Sequence, residues 1–265
     1  MFKKVMILFL LTLLVIPHYA AAGQPATHVS TRSVPVLLYH HLLTRREKNK
    51  AYKYNDAVIT TEMFVSQMKL LHDNGYKTLT LNELERFVRG EESIPDKSVV
   101  ITFDDGYLSN FKYAYPILRA YHYKAAIFAI TGNIRRSPEV FTADGLNFIS
   151  WQELQAHADV FQYEGHTGYL HRKDGGRSCL LSRVPEDVLA DLAESKQMLG
   201  CRYFAYPYGE YDRRLAKLVQ KAGYKMAFTT YQAKVEQGMP LYELPRYGID
   251  PSTSTRSFKN MVGIR

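Results

Sequence analysis

Ser98-Val99-Val100-Ile101-Thr102-Phe103-Asp104-Asp105-Gly106-Tyr107 is the stretch whose reading decides the fold. Residues 98–103 are mostly apolar or β-branched, as in a strand buried on both faces. Two carboxylates and a glycine then end it. Upstream, Val34 to Tyr39 reads as another strand. Thr61 to Asn74 places Phe64, Met68 and Leu71 on one helical face and stops at Gly75. Asn82 and Glu85 form a capping box for a short helix ending at Gly90. Downstream, a helix is expected through Tyr107 to Tyr121, kinked or broken at Pro116, then a strand from Ala125 to Thr131. Ser150 and Glu153 cap a turn around Trp151. Val160 to Tyr163 is a short strand. Pro185 opens a long helix that stops at Gly200. Tyr203 to Tyr206 is a strand, Asp212 caps the next helix, and Met226 to Thr230 is a strand. This alternation predicts an α/β fold with a parallel sheet. The number of units fits a distorted or incomplete (β/α) barrel of about seven strands. A doubly wound open sheet is disfavoured, because no glycine-rich dinucleotide loop follows the first strand.

The ends of the chain read differently. Lys3 and Lys4 precede an unbroken apolar run from Val5 to Ile16, and Ala20-Ala21-Ala22 follows. Residues 1–22 are therefore expected to be a signal peptide. The apolar run is short for a membrane span. Residues 23–33 read as a linker, and 34–265 as one domain, secreted or attached to the cell surface. The formal charge of +8 falls to +6 once Lys3 and Lys4 are removed. With no concentrated Lys/Arg stripe in an exported chain, nucleic acid is excluded as a partner, and attraction to an anionic envelope surface is expected. Cys179 and Cys201 are in a compartment that permits a disulfide, but sequence separation says nothing about their distance in space. A monomer is expected.

Four motifs carry chemistry. At Asp104-Asp105, neighbouring side chains on an extended chain point apart, so one carboxylate can bind a metal while the other faces substrate. Alone, Asp-Asp-Gly is an ordinary turn and cap. His166-Thr167-Gly168-Tyr169-Leu170-His171 offers two imidazoles that can converge on one ion. Adding a carboxylate makes a catalytic set with open positions. Zn2+ suits these ligands best, and Ni2+, Co2+ or Fe2+ would also accept them. Tyr206-Pro207-Tyr208-Gly209 is a rigid turn able to present an N–H to an oxyanion. Leu38-Tyr39-His40-His41 closes the first strand. All four lie at predicted strand C-termini, the active face of a β/α barrel.

Together with Leu244-Pro245-Arg246, these motifs resemble the polysaccharide deacetylases of carbohydrate esterase family four, which share the nodulation-protein-B homology domain. The nearest subgroup is the poly-N-acetylglucosamine deacetylases of the intercellular adhesion protein B type. The resemblance runs from Val34 to about Asp250. It implies a metal-dependent hydrolase that removes N-acetyl groups from an N-acetylated polysaccharide of the biofilm matrix and releases acetate. It assigns Asp104 as catalytic base, Asp105, His166 and His171 as metal ligands, and Tyr208 as oxyanion donor. Tyr206, Pro207, Tyr208, Gly209 and Arg246 are expected to face the substrate. Two positions depart from the family pattern. The arginine usual before the Pro-Tyr-Gly turn is missing, which makes Arg246 its candidate replacement for orienting the base. The His-Thr loop has Gly168-Tyr169 where the subgroup tends to have an Asp. Rival readings are the same chemistry on peptidoglycan or chitin, and a non-catalytic carbohydrate-binding protein.

A general acid remains to be found. The wider family takes it from a late histidine, yet none of the nine histidines follows His171. His40 and His41 alone end a predicted strand at the active face, and one of the pair should point inward. The resemblance selects His40.

Overall fold

The computed structural model describes residues 33–265. The expected signal peptide and all but the last residue of the expected linker lie outside the described residues. Seven strands form one curled parallel sheet: β1 (Val36–Tyr39), β2 (Ser98–Asp105), β3 (Ala125–Ala129), β4 (Phe161–Gly165), β5 (Tyr203–Ala205), β6 (Met226–Phe228) and β7 (Tyr247–Gly248). Their spatial order is β6-β5-β4-β3-β2-β1-β7. The result is the half-barrel expected. Its open side is narrowed by a parallel bridge between Phe228 and Leu244. A short strand at Lys77–Thr78 pairs beside the start of β2.

The period of two along the central strands sorts side chains between two cores. Val99, Ile101 and Phe103 join the outer core with Phe64, Met68 and Leu71. Val100 packs in the barrel interior with Phe128, Tyr203, Met226 and Phe228. The same alternation turns Thr102 and Asp104 inward, and Thr102 Oγ1 donates to Leu37 O at 2.8 Å. Burial of each large apolar side chain contributes about 1.5–3 kcal/mol.

The helices follow their local signals closely. They include α1 (Thr61–Asp73), α2 (Leu81–Val88), α3 (Tyr115–Ala120), α4 (Pro185–Leu199), α5 (Arg213–Lys221) and α6 (Thr255–Val262). Asp212 caps α5, and Gly200 ends α4 in the left-handed region. The capping box of α2 is Thr80 with Glu83, two residues earlier than the Asn82–Glu85 pair expected. Glu85 is inside the helix and buried, where Arg89, Arg202 and the Tyr203 hydroxyl reach it. The helix expected from Tyr107 begins as a π-turn at Asn110–Ala114 and continues as α3. Pro116 explains the wide turn, since it has no N–H for a carbonyl four residues back. Val34 to Tyr39 is two pieces separated at Pro35: Ser33–Val34 pairs antiparallel with Val235–Glu236, and β1 enters the barrel. Cys179 and Cys201 are both buried free thiols. Among the described residues, no helix is long and apolar enough to cross a membrane.

Candidate active site

The C-terminal ends of β1, β2 and β4, with the turn after β5, bring the motifs together. Asp105 ends β2 at φ +72, and Gly106 follows at φ +79. A non-glycine residue in this region costs about 1–3 kcal/mol, a strain found mainly at functional sites. The turn sends Asp105 away from the inward row that holds Asp104. Asp105 Oδ1 lies 3.3 Å from His171 Nε2 and 3.5 Å from His166 Nε2. The three ligand atoms all fall within 4.8 Å of one another.

This donor set fits a divalent ion on three counts. Ligand atoms roughly 2.0–2.1 Å from one tetrahedral ion are roughly 3.4 Å apart, close to the two distances seen. Asp105 Oδ1 is a buried oxygen with no hydrogen-bond partner, a costly state unless a cation or proton occupies the space. His166 Nδ1 faces Ala205 O at 2.8 Å. A carbonyl only accepts, so Nδ1 carries the proton and Nε2 is left as the ligand atom.

Charge distribution agrees. Burial works to raise the Asp105 pKa, but His166 beside it, with His40 and His171, holds it well below the usual range. Burial and the neighbouring His166 push His171 down to about 4, so its ring is neutral at neutral pH. Burial alone would lower His166; Asp104 and Asp105 beside it win and raise it. The negative field at that point thus favours a cation.

Asp104 is held from the other side. Arg246 Nη1 and Nη2 donate to its two oxygens, both at 2.7 Å. Bidentate pairs of this kind are among the stronger hydrogen-bonded contacts. Arg246 is itself fixed by Thr229 O and Thr102 Oγ1, with Phe128 and Phe228 against its guanidinium. Burial would raise the Asp104 pKa, but Arg246 and His166 keep it below the ordinary value. Its Oδ2 is 3.9 Å from His166 Nε2.

His40 is half-buried, and its charge helps lower both Asp104 and Asp105. His41 starts a separate strand, His41–Leu43, paired with Val58–Thr60. It is buried, its Nδ1 contacts Ser109 Oγ at 2.6 Å, and it stacks on Tyr107 with ring centroids 4.9 Å apart. Burial brings its pKa to about 4.

In the Tyr206–Gly209 turn, only Tyr208 is exposed, at 41 %. Its ring packs 4.8 Å from His171, and Lys173 Nζ sits above it. Gly209 has φ +69, and a Cβ there would lie 2.0 Å from Thr230 Oγ1, so only glycine fits. Three expected substrate contacts need correction. Tyr206 is fully buried, stacked on Tyr211, with its hydroxyl on Tyr242 O. Arg246 has no exposed surface. Neither side chain can reach a polymer on the surface, and Pro207 is likewise buried. Asp191 is a residue that motif reading missed. Asp191 did leave a signal: it is a charged residue on the buried stripe of α4, with Val188, Leu192 and Ser195.

A model described as polysaccharide deacetylase matches residues 91–227, just over half of the chain. The chain belongs to this family. It is 27% identical to the poly-beta-1,6-N-acetyl-D-glucosamine N-deacetylase of Staphylococcus aureus (strain N315) over 288 aligned residues, covering 99% of this chain and 98% of that protein. The solved structure of IcaB from Ammonifex degensii superposes with a TM-score of 0.73 at 26% identity, covering 90% of this chain and 99% of that one. The Streptococcus pyogenes deacetylase PplD in complex with acetate also gives 0.73, at 23% identity over 88% of this chain and 99% of the other, and supports the fold.

Proposed function

We propose that this protein is a secreted, metal-dependent deacetylase of poly-N-acetylglucosamine. The observation that carries the reading is the convergence of Asp105, His166 and His171 beside an Asp104 held by a buried arginine fork. Kinship to the staphylococcal enzyme over nearly its whole length supports the choice of polymer.

Asp105, His166 and His171 would hold the divalent ion, with zinc the best match to their chemistry. When bound, it supplies Lewis-acid polarisation of the acetyl carbonyl and a more acidic water. Asp104 takes the proton from the attacking water, and Arg246 keeps that carboxylate ionised and aimed. The Tyr208 N–H faces the developing oxyanion. His40 gives a proton to the leaving amine as the C–N bond breaks, releasing acetate and a glucosamine unit. The exposed Tyr208 ring offers an apolar face to a sugar. Residues 1–22 direct export, and the basic surface keeps the domain, 34–265, near an anionic envelope as a monomer.

Acetate release should be compared on poly-N-acetylglucosamine, chitin oligomers and peptidoglycan, before and after chelator treatment. The expected result is preference for the first polymer, with activity lost on chelation and restored by Zn2+, Co2+ or Ni2+. Preference for chitin or peptidoglycan overturns the substrate assignment. Full activity in metal-free protein overturns the metal site.

A further inference from the structure

The loop carrying both metal-binding histidines is held by hydrogen bonds to its backbone from two sides, and a side chain outside every motif makes two of them. His166 N donates to Ala129 O at 3.1 Å, continuing the β3–β4 ladder past its end. The carbonyls of Thr167 and Gly168 accept from Thr131 N and Gly132 N, at 3.0 and 3.1 Å. The next two N–H groups have no carbonyl to meet. Gly168 N donates to Asp191 Oδ2 at 2.9 Å, and Tyr169 N donates to Asp191 Oδ1 at 2.6 Å. Asp191 is 7% exposed and lies mid-way along α4. A charged residue is rarely placed at such depth without a partner to satisfy it.

The loop needs this grip. Thr167 is buried at φ +76, where a β-branched residue is strained. Its Oγ1 has no hydrogen-bond partner, so no hydrogen bond of its own side chain holds that conformation. Clearance at Gly168 is small, since a Cβ there would lie 3.1 Å from Asp191 Oδ1. On the far side, Gly132 leaves room for the Gly168 carbonyl and the Tyr169 ring, each 2.6 Å from where its Cβ would be. The four residues between His166 and His171 therefore follow one path, clamped between the turn after β3 and the Asp191 carboxylate. That path sets the separation of the two imidazoles.

We infer that Asp191 is a positioning residue for the metal site, acting through the backbone of the His166–His171 loop. It touches neither ion nor substrate. Both of its oxygens must accept, one per N–H, so an amide cannot replace it: one oxygen would become an NH2 facing an N–H. The inference rests on the metal-binding reading above.

The test uses the mature chain, stripped of metal and titrated with Co2+ alone, following both the dissociation constant by chelator competition and the visible absorption spectrum. Asp191→Asn, Asp191→Ala and, as a control on the exposed face of the same helix, Glu194→Gln are compared with wild type. Loss of a partner that orients metal ligands typically weakens metal affinity roughly 10–100-fold. The Asp191 variants should show a loss of that size with an altered Co2+ spectrum, and the control should show neither. Asp191→Asn preserves volume, so it remains informative where Asp191→Ala unfolds; far-UV circular dichroism of the metal-free protein checks this. Wild-type affinity and spectrum in folded Asp191→Asn overturn the inference alone. Failure of the wild type to take up Co2+ overturns the metal reading and this inference with it.

Discussion

Asp104 and Glu164 are buried carboxyl groups on nearby strands of one sheet, yet their surroundings push them in opposite directions. Burial acts to raise both. At Asp104 the Arg246 fork overrides it and the group stays ionised. At Glu164 no guanidinium is in contact. Glu164 Oε2 accepts from Arg202 N and Tyr203 N, at 2.8 and 2.6 Å, and Gln162 reaches Oε1. Those bonds only partly offset desolvation, and the pKa is pushed up to about 7. Arg202 is close by, but its guanidinium is turned to Glu85. Glu164 thus serves as a main-chain acceptor where β5 has not yet begun to pair with β4. Hydrogen bonds from amides make a buried carboxyl tolerable; a bidentate cation makes it a base at neutral pH.

The largest way to break this contrast is to remove the base itself. Asp104→Asn should lower acetate release by about 10²–10⁴-fold, with metal content unchanged by elemental analysis. A near-wild-type rate would reduce Asp104 to a structural role.

The histidines next to it sharpen the picture. His40→Ala should lose activity on the same scale, about 10²–10⁴-fold, with metal retained. His41→Ala should be far milder in rate but less stable, since it loses the Ser109 contact and the stack on Tyr107. Reversed phenotypes would move the acid to His41, and two active variants would place it elsewhere.

Arg246→Leu turns the environment of Asp104 into a harsher version of that of Glu164. Leaving a buried charge unpaired costs about 3–5 kcal/mol, to be read by urea unfolding. The pH dependence should also change sign. In the wild type the folded pKa of Asp104 is depressed, so its contribution is present above the unfolded value and lost as pH falls through the folded one. In the variant His166 and His40 still oppose burial, but the largest opposing charge is gone and the pKa rises. Stability then falls as pH increases past the unfolded value, and the acid limb of kcat/KM moves upward. Parallel stability profiles for the two proteins would show that Arg246 does not control Asp104.

Glu164→Gln is the smallest expected effect. A glutamine oxygen at the Oε2 position keeps both backbone bonds. A carboxyl raised to about 7 holds a proton in the folded state that the unfolded chain has released, so wild-type stability declines between its unfolded value and about 7. The variant lacks that decline. Relative to wild type it should gain up to about 3 kcal/mol between pH 4 and pH 8. A constant difference across that range would mean that Glu164 is not titrating there.

What could be read from the sequence depended on how local each signal was. The Pro185 start and Gly200 stop of α4, the Asp212 cap and the Thr102–Gly106 strand end depend on residues a few positions apart, and they folded as written. The α2 cap lies two residues before the one that Asn82-x-x-Glu85 predicts, because Thr80-x-x-Glu83 satisfies the same pattern. Only the burial of Glu85 against Arg202 and Tyr203 separates them. The histidine pair divided because the chain turns between β1 and the strand that begins at His41.

The sequence by itself determined that strands alternate with helices, that four motifs end strands, and that the ligand types suit a transition metal. It did so because strand period, caps and donor chemistry are properties of neighbouring residues. Tertiary structure alone decided which group meets which across the barrel. Arg246 reaches Asp104 across 142 positions of chain, and Asp191 reaches Gly168 across 23. It also withdrew Tyr206 and Arg246 from the surface, since a motif says that residues occur together and not which of them face solvent. Closure of the sheet set those distances, and no window along the chain contains it.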